Sequence, residues 1–530
     1  MSDLTFIKTG KKEFDELYPR IRNFLLQDSL DLVIDAQHIH GYRSPDSKSI
    51  WIRDHSDMMR GFRYFEEDLT SAVQHFADTQ AKSGRLFDYV TAFPEKLPCE
   101  RENWIKYVRV PVEADVEYRF IKAAFLAWQT TGNDEWVHRL LPIMEKALQY
   151  ILTHPWRWDE NHRLVKRAYT IDSWDFAYTA GRHPWLQFQI DEHTFWGIMH
   201  GDNSGYYQAF RTMELLYRHF GDDQRAEHWG REAEGLKERM NRVCWNGRFY
   251  THFVKLTPVT VAGVDEGEQL SFSNPMDINR GVASHEQAVS ILREYQKRKQ
   301  KSNAFADWFS IDPAFPDGIF GDKLIVQGAY SNGGIMPLVG GELARAAFEH
   351  GFETYAVETL LHYYRLIAEK GETYLWYFPD GSPSTVETST SPDAMPTDGW
   401  GSSSMLYAFI EGLVGIEDRG KLFEDIRLAP RWPAAQVEEA QIQIGYATSG
   451  QKVGYKYRCT ETLIQIDLES RHSDAQCHIL LPNNRRCAKV TINGQPVEFH
   501  PVQIENSHYV DFDCSICPRS CVQIELGPGV

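Results

Sequence analysis

Val112 to Trp128, the turn Thr131-Gly132-Asn133-Asp134, and then Trp136 to Leu152 form the stretch on which the reading of the fold turns. Both flanks repeat apolar residues at the three-to-four spacing that lines one face of an α-helix. The turn between them is short, polar and contains a glycine, so the two helices fold back on each other as an antiparallel hairpin. A second pair, Tyr206–Phe220 and Arg225–Val243, is joined by Gly221-Asp222-Asp223. Glu13 to Leu26 places Phe14, Leu17, Ile21, Phe24 and Leu25 on one face, and Glu342–His350, Tyr355–Ala368 and Met405–Val414 keep the same period. The pairs recur too irregularly for a solenoid. Long loops rich in Trp, Gly and Asp fall between them, as they do in functional connections of compact domains. The expectation is a mainly α domain, a ring of hairpins with its loops gathered at one mouth.

After Arg427-Leu428-Ala429-Pro430-Arg431-Trp432-Pro433 the helical period gives way to alternation. Ile442-Gln443-Ile444, Leu463 to Leu468, His478 to Leu481 and Val490-Thr491-Ile492 read as strands, and Asn493-Gly494 reads as a tight turn between strands. Two domains are expected: a helical catalytic domain over 1–430 and a small antiparallel β-sandwich over 431–530.

A net charge of −18 disfavours nucleic acid and anionic membranes as partners, since both are bound through clustered Lys and Arg. No window is apolar for long enough to span a bilayer. Met1-Ser2-Asp3-Leu4-Thr5-Phe6 lacks a basic and apolar leader, so the reading is cytoplasmic. The 15 Trp, 25 Tyr and 29 Phe supply rings both for core and for the apolar faces of sugars. Six of eight cysteines follow residue 450, and Cys514-x-x-Cys517-x-x-x-Cys521 has metal-like spacing. It lies in a strand–turn–strand pattern without a fourth ligand, so reduced thiols are expected and no metal. No phosphate loop, dinucleotide fingerprint or His-Glu zinc motif occurs, and no cofactor is expected. The composition is compatible with a homo-oligomer.

Chemistry concentrates in a few loops. Tyr169-Thr170-Ile171-Asp172-Ser173-Trp174-Asp175-Phe176 sets two carboxylates three apart around a tryptophan. That is what a saccharide site needs, an acid for a leaving oxygen and a flat ring for a sugar face; helix capping is the plainer role for such aspartates. Trp51-Ile52-Arg53-Asp54 offers a ring and a charged pair, or the start of a helix. In His200-Gly201-Asp202-Asn203, Asp202 or Asn203 caps the following helix or touches substrate. Asn332, in the loop Tyr330 to Pro337, offers donor and acceptor together. A long non-helical connection then carries Glu372, Trp376, Glu387, Asp393, Asp398 and Trp400.

These segments resemble those of the six-hairpin glycoside hydrolases, the group with trehalases, debranching-type α-glucosidases and α-L-rhamnosidases. Ser173-Trp174-Asp175-Phe176 is similar to the Gly-Trp-Asp-Phe segment that bears the trehalase general acid. Trp51-Ile52-Arg53-Asp54 is similar to Trp-Ala-Arg-Asp of debranching enzymes. Asn332-Gly333-Gly334-Ile335-Met336-Pro337 resembles Asn-Gly-Gly-Ile-Trp-Pro, with Met for Trp. The Asp-rich acid motif and N-terminal β domains of rhamnosidases are absent. The resemblance implies an (α/α)6 barrel and an inverting, exo-acting glycosidase on an oligosaccharide or glycoside. Asp175 is then the general acid, with Asp172 as its rival. Glu387 is the general base by its place in a late loop, with Glu372 and Asp393 as rivals. Trp51, Arg53, Asp54, Asp172, Trp174, Asp202, Asn203, Asn332, Trp376 and Trp400 would shape the sugar subsite. A phosphorylase on the same scaffold, a sugar epimerase working through His55, His193 or His200, and a non-catalytic carbohydrate-binding protein are the alternatives.

Overall fold

The computed structural model describes residues 4–45, 47–92, 106–183, 187–321, 325–388 and 396–528. In chain order its α-helices are α1 (Lys12–Gln27), α2 (Ile52–Phe62), α3 (Ser71–Asp78), α4 (Val116–Thr131), α5 (Asp134–Thr153) and α6 (His200–His219). They continue as α7 (Asp223–Cys244), α8 (Ser273–Asn279), α9 (His285–Lys301), α10 (Pro337–Glu349), α11 (Glu353–Lys370) and α12 (Trp400–Tyr407), the last running on as a π-turn over Ala408–Val414. The hairpin read first from sequence is α4–α5. Gly132 ends α4 in the left-handed conformation, and the Asn133 side chain accepts the Trp136 N–H at 3.0 Å to start α5.

Burial sorts the helices into two sets. α7 buries Ala226, Trp229, Ala233, Leu236, Met240 and Cys244, one stripe at helical spacing, and leaves its charged face in water. α4 instead buries nearly all its residues, Glu117, Arg119 and Gln129 included, and α2, α10 and α12 do likewise. A helix buried all round belongs inside. Accordingly α2 packs on α4, α4 on α6, α6 on α8, α8 on α10 and α10 on α12, and α12 packs back on α2. α5, α7, α9 and α11 lie outside on α4, α6, α8 and α10 in turn.

Two larger sheets make the β domain. One has the strand order Phe6–Lys8, Glu439–Gly445, Lys452–Cys459, Leu463–Ser470, Arg519–Pro528, Arg485–Ile492, Gln495–Pro496. The other has Ile416–Asp418, Asp425–Leu428, Ser473–Leu480, Ser507–Ile516, His500–Ile504. The sheets meet where Ser507–Ile516 touches three strands of the first. Asn493 and Gly494 both have positive φ, 51° and 79°, which a two-residue hairpin turn requires.

Three sequence expectations are corrected here. Strands on both sides of residue 430 share these sheets, and Phe6–Lys8 pairs with the C-terminal domain, Ile7 opposite Ile442. A three-residue edge strand is too short to show alternation. The β domain is also not wholly antiparallel, because Asp425–Leu428 runs parallel to Ser473–Leu480. Finally, α6 starts at His200 and α10 at Pro337, so the loops read before them contribute their ends as the first helical turns.

Candidate active site

The starts of the inner helices are brought together in space. Arg53 lies in the first turn of α2 and makes a two-pronged pair with Asp115, the residue at the head of α4, at 2.8 and 3.0 Å. Its second Nη also reaches Glu113 at 2.8 Å. Asp202, in the first turn of α6, faces Arg167 at 3.4 Å through both oxygens. Asp54 and Asp398, from the starts of α2 and α12, share the Arg43 guanidinium at 2.9 and 2.5 Å. Helix N-termini carry partial positive charge, so acidic side chains collect where several of them converge.

Asp175 opens onto this cluster. It is half-buried on the loop after the strand Leu164–Ala168. Burial pushes its carboxyl up to about 7, Glu113 adds to the shift, and Arg53 and Arg167 oppose it. Tyr330 lies within the field of Asp175, Arg43, Asp54 and Arg53, and burial with Asp175 raises its hydroxyl. Burial, and then the nearby Asp54, pushes Asp398 to about 7 against the pull of Arg43. Against the cost of burial, Arg53 and Arg119 hold Asp115 low, while burial and Glu113 raise Asp88 well above the usual range.

Other expected site residues are held by packing and hydrogen bonds. Asp172 is fully buried; its Oδ1 accepts from Ser273 Oγ and Ser173 N at 2.6 Å each, and its Oδ2 from Ser273 N at 3.2 Å. It thereby caps α8, a helix about a hundred residues further on, in keeping with the capping role read as the plainer one from sequence. Asn203 grips Val165 through both its backbone groups, at 2.8 and 3.0 Å, and Met199, not Asp202 or Asn203, caps α6. Asn332 ties Phe315 N and O at 2.7 and 3.1 Å. Among the tryptophans Trp51 keeps part of its surface, stacked on Tyr89 at 4.0 Å. Trp174, Trp376 and Trp400 are buried, and the Trp400 indole donates to Asp57 at 2.8 Å.

Glu387 is exposed on the short turn Val386–Thr388, and hydrogen bonds from its own backbone and Thr385 lower its carboxyl. The groups that act most strongly on Asp175 are Glu113, Arg53 and Arg167, and Glu387 is not one of them. Glu372 bonds the Thr373 N–H at 2.8 Å and faces Asp28. Asp393 lies outside the described residues. Of the histidines, His55 is buried on Tyr42, His200 is buried between Asp277 at 2.5 Å and Ser271 at 3.0 Å, and His193 is exposed beside Glu192. Cys477 and Cys514 are buried free thiols and Cys517 is exposed. Among the described residues no three His, Cys, Asp or Glu side chains are grouped as a metal needs, and no helix is long and apolar enough to cross a membrane.

Sequence reasoning missed Arg43, Asp88, Glu113, Asp115 and Arg167. Glu113 and Asp115 were hidden because the helical period was read from Val112, whereas α4 starts at Val116. Two acids directly ahead of a helix buried on all sides were the available signal.

The chain matches no family model and no curated protein. Solved structures do resemble it. An α-L-rhamnosidase from Dictyoglumus thermophilum superposes with a TM-score of 0.60 at 11% identity, over 98% of this chain and 50% of that one. An α-L-rhamnosidase from Streptomyces avermitilis complexed with L-rhamnose gives 0.61 at 12%, over 98% and 42%. Mannosylglycerate hydrolase from Thermus thermophilus in complex with glucose gives 0.51 at 14%, over 74% of this chain and 99% of that one. This chain thus spans half or less of the two rhamnosidases. The likeness is one of fold, and it runs along nearly the whole chain rather than through the short motifs alone.

Proposed function

We propose that the helical domain closes as an (α/α)6 barrel and that the protein is an inverting, exo-acting glycoside hydrolase with Asp175 as general acid. The carrying observation is a half-buried carboxyl held near pH 7 at the mouth where the inner helices start. Such a group keeps its proton at neutral pH and gives it up to a leaving glycosidic oxygen. The structural relatives are glycosidases by name, which agrees with this reading. Trp51 offers the sugar a ring, and Arg53 anchors the floor.

Inversion needs a second carboxylate to draw a proton from water on the opposite sugar face, roughly 6.5–9.5 Å from the acid. Asp54 is favoured by its ion pair with Arg43 and by its reach, like that of Asp175, to Tyr330. Glu387, the base expected from sequence, is the second reading, supported by its lowered carboxyl. Release of free sugar from a panel of nitrophenyl glycosides in phosphate-free buffer, with the product anomer followed by NMR, tests the activity and its stereochemistry. Asp175→Asn should lower kcat by about a thousandfold with folding intact. Near-normal turnover in that variant removes the assignment. Of Asp54→Asn and Glu387→Gln, the one that matches the Asp175 loss identifies the base.

A further inference from the structure

The inner face of α2 carries Arg53 at the acid mouth and Asp57 and Arg60 further along, with Arg63 just past its end. At 1.5 Å per residue Arg60 lies about 10 Å deeper than Arg53. There a cavity of about 200 Å³ opens between α2, α4, α6, α8 and α10, with half-buried Gln208 and Thr212 at its rim. It is separate from the Asp175 cluster, with which it shares no lining residue.

The carboxylates of this cavity are already satisfied. Asp57 takes Arg119 at 2.6 Å, the Trp400 indole at 2.8 Å and the Lys122 ammonium. Glu342 binds Arg60 and Asn279 at 2.6 Å each. Glu411 pairs with Arg63, and Glu417 with Arg345 at 3.1 Å. Asp418 accepts two backbone N–H groups, from Phe423 at 2.9 Å and Gly420 at 3.1 Å. What is left over is donors. Arg60 Nη2 and Arg63 Nε are buried without a hydrogen-bond partner, in residues 7% and 3% exposed. Arg280 donates to Gly201 O and Ser204 Oγ at 2.8 Å and to Tyr118 at 3.4 Å, so none of its partners is a carboxylate. Burial brings Lys122 down to about 7, and Arg60 and Arg119 repel it further against the pull of Asp57. A buried donor left unmade is costly, and a charged oxygen acceptor satisfies it best.

We propose that this cavity is a binding site for a tetrahedral oxyanion of the phosphate class, held by Arg280, Arg60 and Lys122. Inorganic phosphate and the phosphate end of a sugar phosphate share that chemistry. Calorimetric titration of the whole chain with inorganic phosphate and, separately, with a hexose 6-phosphate should give one saturable site. Tighter binding of the hexose phosphate identifies the sugar-linked source, and binding of the free ion alone identifies inorganic phosphate.

Arg280→Gln, at a half-buried position, should weaken the binding about tenfold or more. Gln208→Glu, which adds a charge at the rim and leaves the buried ion pairs intact, should weaken it as well. Asp175→Asn should bind as wild type does, which separates this site from the proposed reaction. No saturable binding of either compound by the wild-type chain overturns the proposal. So does binding that survives both Arg280→Gln and Gln208→Glu but is lost in Arg53→Gln, since that places the anion at the acid mouth.

Discussion

Asp172 and Asp175 stand three residues apart and serve opposite ends. Asp172 sits at φ +45°, fully buried, with both oxygens taken, and its partners Ser273 and His252 lie 101 and 80 residues away. Asp175 keeps partial access to solvent and a proton near neutrality. The pair of acids was legible in the sequence; the division of labour was not, because it depends on partners that only the fold brings close. The raised carboxyl has consequences on either side. Folded Asp175 holds its proton to about 7 against an ordinary 3.8, so its favourable contribution is complete below 3.8 and is lost as pH rises through 7. Asp175→Asn should therefore be more stable than wild type by about 1–2 kcal/mol at pH 8, with the gap closing toward pH 4. A shift of this size sets a ceiling of about 4 kcal/mol, discounted here for partial exposure. Denaturant titrations at pH 5 and 8 measure the gap. Activity should fall above pH 7 as the acid loses its proton. Glu113 pushes the Asp175 carboxyl upward, so Glu113→Gln should move that falling limb to lower pH. At pH 8 this lowers kcat/KM by roughly three- to tenfold, whereas at pH 5 the rates should nearly coincide. A pH–rate profile of both proteins is the check.

At the scale of the element, the outer helices α5, α7 and α11 were readable because their apolar stripes follow the three-to-four period, whereas α9, with its charged C-terminal half, went unread. Of the inner helices, α4, α6 and α10 were readable as helices but not at their starts, α12 only from Met405, and α2 and α8 were not read as helical spans. α2, α6 and α10 open on polar or glycine-rich turns that are buried by neighbours, so burial and polarity part company there. Close packing also reverses the usual meaning of a helical glycine. Gly341 lies in α10 against α12, and a Cβ there would stand 2.4 Å from the Ser404 backbone carbon and 2.6 Å from Met405 N. On an open helix Gly→Ala stabilises by about 0.5–1 kcal/mol. Here the added methyl must push two inner helices apart, so Gly341→Ala should destabilise by about 1–3 kcal/mol. A chemical denaturation midpoint that rises instead would mean that α10 and α12 are not so tightly apposed. Gly371, in the left-handed conformation at the end of α11 with no neighbour within 4 Å, serves as a contrast: strain there is of the backbone, not of packing.

Across the whole molecule the two domains are joined by charge, with half-buried Glu349 and Arg427 alongside buried Arg431 and Glu353. Glu349, at the end of α10, accepts from Arg345 of its own helix at 2.5 Å, from Arg431 at 2.8 Å and from Arg427. One turn on, Glu353 binds Ser507 at 2.6 Å and the Tyr509 hydroxyl. The switch from helical to alternating period located the β domain, yet the ions that hold it to the helices were invisible, since Arg427 and Arg431 follow Glu349 by 78 and 82 residues. Against the cost of burial, Arg431, Arg345 and Arg427 hold the Glu349 carboxyl well below its ordinary 4.5. Its contribution is present above that value and lost as pH falls through the lower folded one. Removing the charge strands three guanidinium groups around a neutral side chain, and breaking a buried pair on one side costs about 3–5 kcal/mol. Glu349→Gln should accordingly lose about 3 kcal/mol at pH 7, less at pH 4 and almost nothing below the folded value. Because the loss falls on the join rather than on either core, the variant's thermal transition should separate into an earlier and a later step. Calorimetry at pH 7 reads this directly, and a single transition at the wild-type midpoint would show that the contacts of Glu353 suffice to couple the domains.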